Sequence, residues 1–272
     1  MMPPSMLRKY WKVFDIGLQN TFVYRWNFLL RSLFGLVPLA GTVFIWKAIF
    51  EGSQSKVGGY DFAAMIWYFL LIILVDNLVT PTEDEWQIAS DIREGQISAF
   101  LIKPLNYLGY RLSLFVSYRL VYTLVTVIPV GLVFYWFREL IVLPQLKVTW
   151  FLFFLSAAMA AGISFLIAYT LALLAFWILE ISTIVFILYS FEYFLSGQTF
   201  PLDIMPMWFQ AILRWTPFPY ELFFPVQVFL ERVRGAELWL GLGIQAGWVA
   251  ILYLLSQAVW RRGIRHYQAV GG

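Results

Sequence analysis

Residues 148–196 read VTWFLFFLSAAMAAGISFLIAYTLALLAFWILEISTIVFILYSFEYFLS, and their only charged residues are Glu180 and Glu192. An α-helix needs about 20 apolar residues to cross the hydrocarbon core of a bilayer. The run is about twice that length, so it predicts two membrane helices joined by a tight turn. We place this turn near residues 175–180.

The composition of the whole chain agrees with this prediction. Hydrophobic residues make up 61% of the 272 residues and charged residues only 13%, whereas a soluble domain carries about a quarter charged residues. Aromatic residues reach 20%, as expected where rings lie at membrane interfaces. The chain has no Cys and one His, which excludes thiolate sites, zinc sites and His-based catalytic triads. A net charge of +3 without a basic run gives no sign of a nucleic-acid partner. We predict an all-α integral membrane protein without a metal site.

Four further crossings are predicted, at Phe28–Phe50, at Phe62–Val79, within Tyr107–Phe137 and at about Glu237–Trp260. Six crossings place both termini on one side of the membrane. Twelve of the 19 Lys and Arg residues fall on that side, and such an excess marks the cytoplasmic face. We therefore expect a multi-pass protein of the cytoplasmic (inner) membrane with both termini in the cytoplasm.

The first 27 residues predict an amphipathic helix that lies in the membrane interface. Within residues 5–22, one helical face carries apolar side chains and the adjacent face carries polar ones. The apolar face holds Leu7, Trp11, Phe14 and Leu18, and the polar face holds Arg8, Lys12, Asp15 and Gln19. This helix either anchors the N-terminus only or also contacts a cytoplasmic partner; amphipathicity alone does not separate the two.

The loop at residues 82–106 contains the signals of a short, well-capped helix. Thr82 and Glu85 form a capping box, and the acidic residues 83–85 suit the positive end of a helix dipole. Gly95 suits the position that ends such a helix, and Pro104 stops the turns that follow. We expect a helix over 83–94 whose apolar contacts are Trp86, Ile88, Ala89 and Ile92. It is either a solvated helix that closes the loop or a rigid element that receives force from a partner.

Residues 197–236 contain too many prolines for a straight crossing. We expect two short helices, near Met205–Trp215 and Glu221–Arg232, that dip into the outer leaflet or lie on it. Their aromatic residues suit an amphipathic or lipid-like cargo, or form an interfacial aromatic belt. Glu192, which precedes this segment, is expected to pair with Arg214 because no second acid nearby suggests an ion relay; the alternative is that it lines an outward-opening cavity.

Two stretches carry a resemblance to a known family. DIREGQISAFLIKPLNYLGYRL at 91–112 resembles the cytoplasmic-loop signature of ABC-2 type permeases, in a poorly characterised prokaryotic branch often paired with a second permease. SGQTFPLDIMPMWFQAILRWTPFPY at 196–220 is similar to the segment before the last membrane helix of that family. The matching positions are Asp91, Arg93, Gly95, Pro104, Leu105, Asn106, Phe200, Pro201, Pro206, Trp208, Pro217 and Phe218.

The resemblance implies a single permease domain over residues 1–272 that moves a hydrophobic or amphipathic substrate, such as a drug, peptide, lipid or lipid-linked glycan. In this family the loop at 82–106 is a coupling helix that docks on a separate ATPase, of which two copies bind ATP and Mg²⁺. The implied contacts are Glu83, Asp84, Glu85, Trp86, Asp91, Arg93, Glu94 and Gly95. The implied substrate pathway includes Glu192, Phe200, Trp208, Trp215 and Phe218. A second permease subunit, identical or homologous, completes the transporter.

The sequence contains no G-x-x-x-x-G-K-[ST] phosphate loop, so we expect no enzymatic activity and no cofactor in the chain itself. One alternative is a stand-alone secondary transporter, which predicts broken helices at the membrane midplane and a paired ionisable site. Another is an intramembrane enzyme, which requires clustered polar residues within the crossings. Neither pattern is evident in the sequence.

Overall fold

The computed structural model describes residues 4–52, 56–81 and 84–267 of the chain. In these ranges the chain is helical, and its only β-pairing is an isolated bridge between Val57 and Tyr60. The α-helices are α1 Pro4–Val23, α2 Arg25–Gly35, α3 Val37–Gly52, α4 Phe62–Val79, α5 Asp84–Arg93, α6 Gln96–Leu101, α7 Tyr107–Trp136, α8 Lys147–Ala172, α9 Ser182–Leu195, α10 Met207–Leu213, α11 Phe223–Phe229 and α12 Gly235–His266. Short 3₁₀ helices lie at Arg138–Leu140, Leu173–Phe176, Leu202–Ile204 and Phe218–Tyr220.

Five helical stretches of the described chain are long and apolar enough to cross a membrane. The first combines α2 and α3, and the second begins with α4. The third is α7, the fourth is α8 together with its 3₁₀ extension, and the fifth is α12. Helix α9 is apolar but has only 14 residues, fewer than the roughly 20 that a straight crossing needs. The protein is therefore a multi-pass, all-helical membrane protein.

Two helices joined by a short connection are present within 148–196, as predicted, although only the first is long enough for a crossing. Helix α8 ends at Ala172, one 3₁₀ turn follows, and α9 begins at Ser182. Glu180 lies in the turn, as expected, where its side chain accepts a hydrogen bond from the Ser182 amide at 2.9 Å. That amide stabilises the ionised carboxylate and lowers the pKa of Glu180.

The predicted first crossing differs from the observed one. Residues Arg25–Gly52 form two helices that meet at Leu36, whereas Phe28–Phe50 was expected to be a single helix. Pro38 explains the break, because proline has no amide hydrogen to donate and its ring crowds the preceding turn. The amides of Leu36 and Leu39 bond to carbonyls three residues back, at 3.2 and 3.1 Å. The last helix is also longer than the predicted Glu237–Trp260.

Helices α4 and α8 form the centre of the bundle. Residues 65–72 of α4 are all buried, and α8 packs on α4, α11 and α12. Helix α4 begins where the Asp61 side chain accepts the Ala64 amide at 2.8 Å, and it ends before Pro81. These boundaries match the prediction, because the cap and the proline are both local signals.

Helix α1 lies along α7. Gly17 is buried against Ser117 and Leu114, and a side chain there would overlap Ser117. Trp11 and Ile16 face outward and are 68% and 56% exposed. The predicted N-terminal helix is thus present and packs along α7, and its position in the membrane interface stays a prediction. The predicted apolar position Leu7 has a side chain outside the described part.

Residues 196–234 form a segment of short helices, which we call the short-helix segment. The two helices expected near Met205–Trp215 and Glu221–Arg232 are present as α10 and α11, each with seven residues. Pro206 directly precedes α10, and Pro217 directly precedes the 3₁₀ helix Phe218–Tyr220. At the start of a helix the amide hydrogen has no partner within the helix, so its absence in proline costs nothing.

Candidate functional site

Helices α5 and α6 lie between α4 and α7 in the chain and contact each other; we call this unit the α5–α6 segment. Gly95 separates the two helices with φ of +78°, a backbone conformation that glycine adopts without strain. The Ser90 hydroxyl bonds to the Glu94 carboxylate at 2.5 Å and reinforces the end of α5. The helix, its glycine end and the following turns agree with the prediction from sequence. Thr82 and Glu83 lie outside the described residues.

The first turn of α5 faces the protein interior. Asp84 and Glu85 are buried together with Ile88, Ala89 and Ile92, and α5 packs on α8 and on its 3₁₀ extension. Trp86 is half-buried. The carboxylate of Glu85 lies close to the hydroxyl of Tyr189 on α9. Of the predicted ATPase contacts, Asp84 and Glu85 are therefore turned towards the bundle in this structure.

Asp91 ties α5 to the start of α7. Its carboxylate forms an ion pair with the Arg111 guanidinium and accepts a hydrogen bond from the Tyr107 hydroxyl at 2.7 Å. Arg111 also donates to that hydroxyl at 3.0 Å and to the Gln87 carbonyl at 3.2 Å. Arg111 is 5% exposed, and a buried charge needs such a set of partners.

Two further contacts fix the segment to other membrane helices. The Arg93 guanidinium donates to the Leu179 carbonyl in the α8–α9 turn at 2.9 Å. Ser98 of α6 shares a 2.9 Å hydrogen bond with the hydroxyl of Tyr267, just past the end of α12. The α5–α6 segment is thus attached to α7, to the α8–α9 hairpin and to α12.

The N-terminal helix meets the same region. The Tyr10 hydroxyl of α1 accepts the Asn106 amide at 3.0 Å, and the Tyr10 ring packs against Gly109. The Asn106 side chain in turn caps α7 by accepting the Gly109 amide at 3.2 Å. The N-terminal helix therefore contacts the chain where the loop at 82–106 joins α7.

The outer surface of the α5–α6 segment combines charge with an exposed apolar tip. Ile102 is 85% exposed and Leu101 is 50% exposed. The exposed polar residues of the same stretch are Arg93, Glu94, Gln96 and Lys103, of which Lys103 follows Ile102 directly. Single exposed side chains are common, but an almost fully exposed isoleucine beside charges suits a small docking surface.

Glu192 has a different partner from the one expected. Its carboxyl lies close to the carboxyl of Glu221, and no ion pair with Arg214 is present among the described residues. Glu221 is 1% exposed and accepts the Ser164 hydroxyl of α8 at 2.6 Å. Two acidic side chains therefore meet in the interior, where α9 faces residue 221 of the short-helix segment. The predicted structural pairing was thus assigned to the wrong residue, since Glu221 is distant in sequence and its position depends on the tertiary fold.

The predicted pathway aromatics differ in their exposure. Trp208 and Trp215 are 66% and 70% exposed on the short-helix segment, whereas Phe200 and Phe218 are half-buried within it. None of the four lines the main cavity of this segment. Their predicted part in a substrate path remains a prediction.

A cavity of about 650 Å³ lies between the short-helix segment and the start of α12. Asp203 lies at its polar end, where one carboxylate oxygen accepts the Tyr60 hydroxyl at 2.9 Å and pairs with Arg232 at 3.3 Å. Burial raises the pKa of Asp203, while the hydrogen bond from Tyr60 and the charge of Arg232 lower it; burial is the larger effect. No sequence motif predicts this network, because Tyr60 is 143 positions from Asp203 and 172 positions from Arg232.

The described residues also contain no cluster of three or more acidic or His side chains that could hold a metal ion. Long apolar helices define the class as a multi-pass membrane protein. The chain belongs to the ABC-2 transporter family, because the family model described as "ABC-2 family transporter protein" matches residues 36–271. No curated protein matches the chain. Members of this family are permeases that generally lack the ATPase domain, so the family implies an ATPase partner.

Proposed function

We propose that the chain is the membrane subunit of an ATP-driven exporter that moves a hydrophobic or amphipathic molecule across the cytoplasmic membrane. Helix α9 serves as a short fifth of six crossings, and both termini lie in the cytoplasm. Two copies of a separate ATPase supply the ATP and Mg²⁺ sites, and a second permease, identical or homologous, completes the pathway. The excess of Lys and Arg on the side of the membrane that holds both termini supports this orientation.

The tethering of the α5–α6 segment carries the proposal. A loop that only connects two helices needs no attachment to the others, yet this segment is bonded to α7, to the α8–α9 turn and to α12. A displacement of the segment therefore reaches most of the bundle as a rigid-body movement. Transport follows only if the substrate binds the two resulting states with different affinity.

The exposed tip defines the surface through which the ATPase acts. Ile102 and Leu101 provide the apolar contact, and Arg93, Glu94 and Lys103 provide the polar rim. The buried positions Asp84 and Glu85 act in this account by holding α5 in the bundle. Glu83 and Trp86 remain predicted contacts beside them.

Co-purification of the tagged chain from its native membrane tests the docking surface. The variant is Ile102→Asp, and the matched control is Ile212→Asp, which alters another exposed isoleucine, on α10. We expect a P-loop ATPase to co-purify with the wild type and the control and to be reduced about tenfold or more with Ile102→Asp, because a buried, unpaired charge costs several kcal/mol. Equal recovery of the ATPase with both variants would contradict the docking assignment.

The Glu192–Glu221 contact favours one alternative, a secondary transporter driven by protons. A pair of neighbouring acidic side chains within the membrane domain is a feature that such transporters use. The alternative predicts uptake or efflux driven by a pH gradient in vesicles that contain the chain alone, and loss of that activity in Glu192→Gln. Transport that requires the ATPase and ATP and survives Glu192→Gln supports the exporter.

A further inference from the structure

Glu221 lies at a junction between the short-helix segment and three helices of the bundle. The side-chain nitrogen of Gln245, on α12, donates to the Tyr220 carbonyl at 2.9 Å. The Phe223 amide donates at 2.9 Å to the carbonyl of Ser196, the residue that follows α9. The side chain of Glu221 itself bonds to α8. Contacts from α8, α9 and α12 therefore meet within four residues of the short-helix segment.

The carboxyl group of Glu221 has one hydrogen-bond donor among the described residues. Glu221 is 1% exposed, and its Oε2 accepts the Ser164 hydroxyl at 2.6 Å. Its Oε1 is buried and receives no hydrogen bond from the described part of the chain. An ionised carboxylate offers about four acceptor positions, so its burial with a single donor is costly. The neutral acid carries no charge and is buried at much lower cost.

The titratable side chains that face Glu221 offer no positive charge. They are Glu192 and Tyr189 of α9, and Glu192 in turn is close to Asp76 of α4 and Glu85 of α5. The contacts from α8 and α12 come from a hydroxyl and an amide, which are uncharged. The ion pairs between described residues do not include Glu221. Burial, and after it the charge of Glu192, therefore raises the pKa of the Glu221 carboxyl.

We propose that Glu221 is a proton-binding site and that its bound proton holds the short-helix segment against α8 and α9. The neutral carboxyl packs at the junction with Oε2 on the Ser164 hydroxyl. When the O–H bond breaks and the proton passes to water, a negative charge is left beside Glu192 with a single donor. The carboxylate is stabilised by moving towards water, which loosens the segment from α8. The inference concerns the chain alone and does not rest on the proposed function.

The pH dependence of stability tests proton binding, because Glu221→Gln keeps the shape of the neutral acid and cannot ionise. A carboxyl whose pKa is raised in the folded state gives its full stability at low pH and loses it as the pH rises above the unfolded pKa of about 4.3. We expect the wild type in nanodiscs to melt progressively below Glu221→Gln from about pH 5 to about pH 9, with its folded-to-unfolded ratio falling by up to about tenfold per pH unit. Tryptophan fluorescence during heating gives the melting temperatures. The matched control is Glu139→Gln, an exposed glutamate between α7 and α8, which keeps the pH dependence of the wild type.

The position of the short-helix segment is measured by the distance between two spin labels. The labels are attached at Ile212→Cys on α10 and Phe154→Cys on α8, two exposed positions of a chain without native cysteine. We expect a narrow distance distribution at about pH 5 and a broader one at about pH 9, whereas Glu221→Gln keeps the narrow distribution at both. Glu192→Gln shifts the broadening to lower pH, because it removes the like charge that keeps Glu221 protonated.

Two results would overturn the inference. One is a difference in melting temperature between the wild type and Glu221→Gln that does not change with pH, which is the outcome for a side chain that only fills space. The other is a distance distribution that broadens with pH in Glu221→Gln as it does in the wild type. Neither measurement needs the ATPase, so the exporter function is tested separately.

Discussion

At the residue scale, the charge pair between Asp91 and Arg111 explains why the quoted motif at 91–112 is polar in so apolar a chain. The two residues are 20 positions apart in sequence, and Tyr107 bonds to both. The motif therefore folds back on itself and joins α5 to α7. Part of this polar motif therefore forms buried contacts between α5 and α7. Only the remaining part is exposed and able to contact a partner.

Asp91→Asn weakens this joint, because the amide cannot form the ion pair and leaves Arg111 buried with fewer acceptors. We expect the free energy of unfolding to fall by about 1.5–3 kcal/mol, the usual contribution of a hydrogen bond to a charged group. Tryptophan fluorescence during heating in detergent measures the change. Asp15→Asn, in an exposed position of α1, is the control and changes the transition little. An Asp91→Asn protein as stable as the control variant would contradict the role of the pair.

At the element scale, the end of α5 and the beginnings of α4 and α7 each have an identifiable local cause. Gly95 ends α5, Asn106 begins α7 and Asp61 begins α4. Helix α8 begins differently, because its cap comes from a distant residue. The Glu231 carboxylate accepts the Leu146 amide at 3.0 Å and the Thr149 hydroxyl at 2.8 Å, and so connects the short-helix segment to α8.

Gly95→Ala tests the connection between α5 and α6. Nothing lies closer than 3.7 Å to a side chain built at this position, so the cost is conformational and amounts to about 1–2 kcal/mol for a left-handed backbone. We expect a lower melting temperature and weaker ATPase recovery. Gly131→Ala in the middle of α7, where a new side chain meets nothing, is the control and should be neutral or stabilising. If both variants behave alike, the left-handed turn at Gly95 has no structural importance.

Glu231→Gln tests the distant cap through its pH dependence. The Leu146 amide and the Thr149 hydroxyl lower the pKa of Glu231 in the folded protein. A lowered pKa means that the carboxylate stabilises the fold above its unfolded pKa of about 4.3, and that this contribution is lost as the pH falls further. We expect Glu231→Gln to melt below the wild type at pH 7 and the difference to shrink towards pH 4. A difference that is constant with pH would contradict the assignment.

At the scale of the whole molecule, the sequence predicts most of the helices because their signals are local. For α4, the apolar run, the cap at Asp61 and the proline after Thr80 determine both ends of the helix. The contacts between distant segments were not predictable in the same way. The partner of Glu192, the network around Asp203 and the inward turn of Asp84 all depend on which helices pack together, and no periodicity in a single sequence reports that packing.

The surfaces left exposed agree with half of a larger membrane assembly. Helix α9 buries only Val185, while Phe186 and Phe191 are 74% and 60% exposed. Phe34 and Phe44 of α2 and α3 are exposed to a similar degree. Lipid and a second permease subunit are the surroundings in which such faces are covered, in line with the proposed heteromeric or homomeric pair.

The central claim is that the α5–α6 segment meets an ATPase, and cross-linking in the native membrane tests it most directly. The chain contains no cysteine, so Ile102→Cys and Ile212→Cys each carry a single thiol for a photoactivated cross-linker. We predict a cross-linked product between the Ile102→Cys chain and a P-loop ATPase, identified by mass spectrometry, and none from Ile212→Cys on the short-helix segment. No ATPase product from Ile102→Cys, or an equal yield from both positions, would contradict the account.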